Sequence, residues 1–314
     1  MGRFIIRRAL VSVVTLILIS IGVFSILALA PGDPLAGFAN NPSVPPELRQ
    51  RLRQQLGIDD PIQEQYVKWA RQYVQGNWGQ SFTSRAPVRQ VILDRLPTTL
   101  YISGTALLLS LLIAIPIGVI SALKPYSVFD QVATTFAFLG FSVPTFFSGL
   151  VLIIIFSVKL GWLPFIYDRT VTGVWPHIEQ AIMPVCVLGF FAAASTMRFT
   201  RASMLEVVNQ DYIRTARAKG LGERQVTISH AMRNAMIPVV TIVALQIPAV
   251  FGGAVVTEQI FRIPGIGSLL IDSIGSKDTP VVMAITFGIA ILIVIFNILA
   301  DILYALLDPR IKLS

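Results

Sequence analysis

Six stretches of this sequence stay apolar over a membrane's thickness: Ala9–Ala30, Thr99–Leu123, Val128–Val158, Ala181–Val208, Ala235–Val256 and Pro280–Leu307. Each is long enough to cross roughly 30 Å of hydrocarbon as a helix. Hydrocarbon offers no water to the backbone, so a run of this length must satisfy its own N–H and C=O groups. With 54% hydrophobic and 13% charged residues, the chain is too apolar for a soluble protein of 314 residues. The fold class implied is an all-α integral membrane protein with six transmembrane helices. A net charge of +8 would suggest nucleic acid in a soluble domain. Here much of the excess lies beside the spans, where topology explains it, and no basic-aromatic module is present. Lipid, and not nucleic acid, is the expected surrounding.

Charge then orients the spans. Arg3, Arg7 and Arg8 precede the first run and hold the N-terminus in the cytoplasm. Ala28-Leu-Ala30 imitates a signal-peptidase site. The run is longer than a signal peptide's apolar region, and Pro31 would follow the cut, so an uncleaved helix over 1–30 is expected. Residues 31–97 form an extracytoplasmic segment, with helices expected over Pro45–Leu56 and Ile62–Val74. Residues 98–314 form a five-helix core. Lys124-Pro125 makes an inside turn, Ser142-Val-Pro144 interrupts the outward run, and Trp162 marks an interface. Phe261–Leu270 is apolar, glycine-rich and too short to span, as an interfacial or re-entrant piece would be. The chain ends inside at Asp308-Pro-Arg-Ile-Lys312, so both termini are cytoplasmic.

Between two spans lies a polar island, Asp211 to Gly222 followed by Glu223 to Asn234, within an inside loop of about 206–234. It is basic, as an inside loop should be, but it is also patterned. Leu205, Val208, Tyr212 and Ala216 recur at helical spacing and predict one apolar stripe. Ala216, Ala218 and Gly220 leave room for a close partner. Gly220 and Gly222 suit a helix end or sharp turn, after which Arg224–Met236 starts a new helix.

No catalytic or metal constellation stands out. The glycine-rich Lys-Ser/Thr phosphate loop is absent, and His177 and His230 fall on opposite sides of the membrane. The single cysteine, Cys186, sits inside an apolar run and has no partner for a disulfide. No metal and no cofactor are expected in the chain itself. Work must come from alternating access, and Pro116, Pro144, Pro184, Pro238 and Pro248 mark where apolar runs can bend. Asn297 and Asp301 lie one turn apart in the last run, and a charge there needs a partner. Arg198 enters at comparable depth, which predicts an Arg198–Asp301 clamp at the inner end of the bundle.

The island Tyr212-Ile-Arg-Thr-Ala-Arg-Ala-Lys-Gly-Leu221, with His230-Ala-Met-Arg-Asn-Ala-Met-Ile-Pro238, resembles the coupling loop of the permease subunits of peptide-type ABC importers. Pro31-Gly-Asp-Pro34, Gly57-Ile-Asp-Asp-Pro61, Gly79-Gln-Ser81, Arg95-Leu-Pro-Thr-Thr-Leu100, Phe141-Ser-Val-Pro-Thr-Phe146, Gly253–Gly267 and Asp301–Arg310 are similar to the B-type dipeptide/oligopeptide permease. The resemblance covers the whole chain. Against the general importer pattern, Arg214 and Thr215 stand where Glu and the first Ala are expected, and the late proline is displaced to Pro238. That is how the peptide branch looks, and it weakens any Glu-based contact.

The resemblance implies a type I ABC importer permease fold and a non-catalytic subunit in a bacterial or archaeal inner membrane. It further implies a homologous C-type permease partner, two ABC ATPase subunits that bind ATP and Mg, and an extracytoplasmic substrate-binding protein. Tyr212, Ala216, Ala218, Gly220 and Leu221 would form the docking core for an ATPase, with Arg214 and Arg217 at its rim. Family members also carry nickel, glutathione or sugars. A self-sufficient secondary transporter would need inverted repeats and midplane carboxylates, and an intramembrane enzyme would need paired catalytic groups. Neither pattern is visible.

Overall fold

The computed structural model describes residues 2–29 and 60–307. The expected helix over Pro45–Leu56, the Pro31–Pro34 motif and the chain end at Asp308–Lys312 lie outside the described residues. Within them the structure is helical, with one isolated antiparallel bridge between Gln80 and Pro87. In chain order the helices are α1 (Gly2–Ala28), α2 (Ile62–Val74), α3 (Val88–Leu123), α4 (Val128–Ser142) and α5 (Thr145–Leu152), the last continued by a π-helical stretch, Ile153–Lys159. Next come α6 (Val174–Val208), α7 (Asp211–Ala218) and α8 (Glu223–Gln225), then a second π-helical stretch, Val226–Met232, leading into α9 (Arg233–Ile260). The last two are α10 (Ile266–Gly275) and α11 (Thr279–Leu307).

Five of these helices are long and apolar enough to cross a membrane alone, and α4 with α5 makes a bent pair that raises the number to six if counted as one span. The bend is 101°. Its cause is local: Val143 precedes a proline, and the clash with the Pro144 ring pushes it to an extended backbone of φ −86, ψ 124. The run expected as one outward crossing over Val128–Val158 is therefore two helices at a sharp angle. α3 begins at Val88, well before the apolar run at Thr99, because Arg89, Asp94 and Arg95 interrupt hydrophobicity without breaking a helix. α2 matches its expected bounds.

Two compact units emerge, one built from Met1–Ile5, Thr98–Ile263 and Ile295–Ser314, the other from Ile6–Pro97 and Pro264–Val294. The first is organised around α6, which packs against α4 and α9. Its apolar window is 67% buried, against 11% for α1, so α6 is the central post. Small residues let its neighbours come close: Ala114, Ala137, Ala193, Ala194 and Met197 form one cluster between α3, α4 and α6. A second cluster gathers Ile102, Ala106, Met183, Leu188, Phe261 and Ile263. At Gly118 the α3 backbone passes so near α6 that an added Cβ would lie 2.7 Å from the Thr200 Cβ and 2.9 Å from the Met197 carbonyl. Gly118→Val is expected to cost about 1–3 kcal/mol by overpacking. The check is the thermal unfolding midpoint of the purified chain, read from dye labelling of its single cysteine, Cys186. An unchanged midpoint would mean that the α3–α6 crossing has slack.

The second unit is held by aromatic rings and one carboxylate. Tyr66, Trp69 and Tyr73 lie on one face of α2, with Phe24 beside Tyr66 and Trp69, and Phe287 beside Trp69 and Tyr73. Tyr73 stacks on Trp78 at 5.3 Å, and burial pushes its hydroxyl up to about 12. The Ser20 and Tyr66 hydroxyls share a hydrogen bond of 2.8 Å. Asp278, 1% exposed, accepts hydrogen bonds from the Ser81 hydroxyl at 2.5 Å and from the N–H groups of Phe82 and Thr83 at 3.0 and 3.1 Å. Those three donors satisfy a charge that burial would otherwise penalise.

Candidate coupling site

At one end of the first unit α6 stops at Val208, and the chain restarts as α7 after Gln210, whose backbone is extended at φ −72, ψ 149. This break resets the helical register. The stripe expected through Leu205, Val208, Tyr212 and Ala216 therefore does not run continuously: Ile213 is fully buried and Ala216 is 7% exposed, while Tyr212 is 43% exposed. Ile213 and Ala216 join Val119, Met204, Val226, Ala231 and Ala235 in one cluster, with Leu205, Val208 and Leu221 packed against it. The loop is thus a folded element seated on the ends of α3, α6 and α9.

Its turn is built by Gly220. A backbone φ of +78 there is a conformation that side chains resist, and it lets the Gly220 N–H donate to the Arg217 carbonyl at 2.9 Å. Gly222, expected to share that role, is extended at φ −63, ψ 145 and leads into α8. Arg217 then reaches across the turn to Glu223, donating from Nε at 2.9 Å and from Nη2 at 3.4 Å. Both side chains are substantially exposed, so the pair contributes no more than about 1 kcal/mol and mainly fixes orientation. The Asn234 amide donates to the Tyr212 hydroxyl at 3.1 Å and to the His230 carbonyl at 2.9 Å, tying the loop to the start of α9. The Ser203 hydroxyl donates to the Ala235 carbonyl at 2.7 Å, joining α6 to α9.

The expected docking residues divide accordingly. Ala216 and Leu221 face the chain's own core, whereas Tyr212, Arg214, Arg217, Ala218 and Gly220 are exposed together. Arg214 is 72% exposed, with Asp211 one turn back at 3.5 Å. Sequence reasoning passed over Ile213, the anchor, although a lone isoleucine in so polar a stretch was the available signal.

One turn beyond Arg198 a different ion pair holds the bundle. Arg201 donates to Asp130 through Nε at 2.6 Å and Nη2 at 2.7 Å. Asp130, 2% exposed, also accepts from the Tyr126 N–H at 2.8 Å and from the Thr134 hydroxyl at 3.3 Å. Ser127 caps α4 by accepting from the Asp130 N–H. Ser127-x-x-Asp130 is a helix-start pattern legible in the sequence. The expected Arg198–Asp301 contact is absent among the described residues. Arg198 instead lies over the rings of Phe138 and Phe141 on α4.

Comparison with known proteins places this architecture. Residues 114–313 match the family model described as "Binding-protein-dependent transport system inner membrane component", and residues 1–103 match that of the corresponding N-terminal region. The oligopeptide transport system permease protein AppB of Bacillus subtilis (strain 168) is 44% identical, over 99% of this chain and 100% of that protein. The di/tripeptide transport system permease protein DppB of Pseudomonas aeruginosa (strain UCBPP-PA14) is 39% identical, over 99% of each chain. The glutathione transport system permease protein GsiC of Escherichia coli (strain K12) is 38% identical, over 99% of each chain. Among solved structures, a chain of an amino acid ABC transporter crystallised with histidines superposes with a TM-score of 0.54, covering 69% of this chain and 94% of that one. At 14% identity it speaks for the fold alone.

Proposed function

The chain belongs to the family of inner-membrane components of binding-protein-dependent transport systems, and from that premise we propose that it forms half of the translocation pathway of an ATP-driven importer of short peptides. It is a multi-pass inner-membrane protein and a transporter subunit, not an enzyme. End-to-end similarity to permeases named for oligopeptides and di/tripeptides supports the substrate class. Glutathione, the substrate named for another relative, is itself a short peptide and fits the same reading.

In this proposal six spans run with both termini in the cytoplasm, α4 and α5 together making one of them. A homologous permease completes the pathway, and an extracytoplasmic binding protein delivers the peptide. Two ATPase subunits bind ATP with its magnesium ion and supply the free energy that shifts the pathway between its two states. The observation that carries the coupling role is the seating of α7: Ile213 and Ala216 anchor it in the bundle, and the opposite face is offered to a partner. A pull on that face is passed to α3, α6 and α9 together. Tyr212, Ala218 and Gly220 would touch the ATPase, with Arg214 and Arg217 at the rim.

The test is co-purification from membranes expressing the whole transporter, comparing the natural chain with Arg214→Glu plus Ala218→Trp. Both sites are exposed, so the permease is expected to fold and to lose its bound ATPases and peptide-stimulated ATP hydrolysis. Retention of both would remove the loop from the coupling role. Uptake of peptide by the chain alone in liposomes, without ATP, would overturn the importer reading.

A further inference from the structure

Arg198 lies ten residues before the end of the most buried helix, Val174–Val208, yet among the described residues no carboxylate lies within ion-pair distance of it. Its Nε is buried and has no hydrogen-bond partner. Its guanidinium rests instead on two aromatic faces, 5.3 Å from the Phe138 ring centre and 4.9 Å from that of Phe141. Phe141 in turn stacks on Phe191 at 6.0 Å with the planes 12° apart. Phe191 lines a cavity of about 500 Å³ between α4, α5 and α6, beside Phe190, Phe147 and Cys186. A cation, two rings and a cavity thus form one continuous column.

The neighbouring arginine sharpens the point. Arg201, three residues on, has a bidentate carboxylate partner in Asp130, so this helix pair can supply a counter-ion where the fold needs one. At Arg198 it does not. A charge at this depth facing lipid is costly, which argues for a side lined by protein or water. A guanidinium over aromatic rings can still turn the edge of its plane to a carboxylate, which it matches in two parallel hydrogen bonds.

We propose that Arg198, seated on Phe138 and Phe141 and joined through Phe141 and Phe191 to the α4–α5–α6 cavity, receives the carboxylate of the peptide in transit. This rests on the peptide-import reading. The chemistry suits a transporter of mixed sequences: the C-terminal carboxylate is common to every unmodified peptide, while apolar rings and an apolar cavity accept side chains of many shapes.

The experiment uses the complete transporter in liposomes, with the binding protein saturated by either of two labelled tripeptides, a free acid and its C-terminal amide. ATP-driven uptake of each gives an acid-to-amide ratio. Arg198→Gln is expected to lower acid uptake on the order of tenfold or more, as loss of a charged hydrogen-bond partner does, with amide uptake little changed. Arg198→Lys should restore part of the ratio. An equal fall for both peptides, an unmoved ratio, or loss of the partner permease from the complex would overturn the proposal, the last because Arg198 would then be serving a carboxylate of that subunit. Should Arg198→Gln fail to assemble, Phe138→Leu plus Phe141→Leu keeps the charge but removes its seat. A severalfold lower ratio is then expected, and an unchanged one overturns the idea. If the natural complex takes up neither peptide, the substrate class falls as well, which is distinct from normal uptake with an unmoved ratio.

Discussion

Asp130→Asn is expected to produce the largest loss of stability of any single change to the polar contacts described. The substitution keeps the shape but removes the charge that two Arg201 nitrogens approach at 2.6 and 2.7 Å. Breaking a buried pair by removing one partner costs about 3–5 kcal/mol, because the other charge is left uncompensated. Arg201 is 24% exposed and recovers some of that from water, so about 3 kcal/mol is the figure to expect. The unfolding midpoint followed through Cys186 labelling should fall by several degrees. Asp130→Asn combined with Arg201→Met, which removes both charges, should recover much of the loss. A double variant no better than the single one would mean that Asp130 works mainly by holding the Tyr126 N–H at the start of α4.

Ile213→Asp is the second large effect, and it acts on coupling. Ile213 is fully buried, and its cluster is the apolar seat of α7 on the bundle. Truncation to alanine there would cost about 2–4 kcal/mol. A carboxylate in the same place has no counter-ion in the cluster, so α7 is expected to lift off its seat. Co-purified ATPase and peptide-stimulated ATP hydrolysis should both be lost, while the spans, which Ile213 does not help to cross the membrane, stay assembled. Ile213→Val, which keeps most of the apolar contact, should behave nearly as the natural chain. Full ATPase capture by Ile213→Asp would show that α7 needs no seat to be gripped.

These two residues also show where sequence reading succeeds and where it stops. Spans were legible because an apolar run of membrane length has one structural solution, and α2 was legible because its rings recur at helical spacing. The turn at Gly220 was legible because glycine before a new helix has few other uses. The seat of α7 was misread because the stripe was carried through Asn209 and Gln210 as if the helix were unbroken, and the extended backbone at Gln210 rotates α7 relative to α6. Tyr212 and Ala216 therefore do not share a face: Tyr212 is exposed, while Ala216 turns with Ile213 into the core. The Arg198–Asp301 pairing failed for a different reason. Depth along a span can be estimated from sequence, but the direction a side chain takes around its helix depends on packing, and packing turned Arg198 toward α4.

The Asp278 clasp carries a consequence for how the protein is made. Its donors at Ser81, Phe82 and Thr83 precede it by 197, 196 and 195 residues. A ribosome adding roughly 5–20 residues per second needs about 10–40 s to cover that distance. For that interval the turn at Ser81 has no acceptor, and Trp69 and Tyr73 lack Phe287, the ring from α11 that meets them. The segment from α2 to the Gln80–Pro87 bridge thus waits for nearly the last span to be synthesised before it can close. Truncation anywhere before Asp278 leaves that early segment without the carboxylate that closes it.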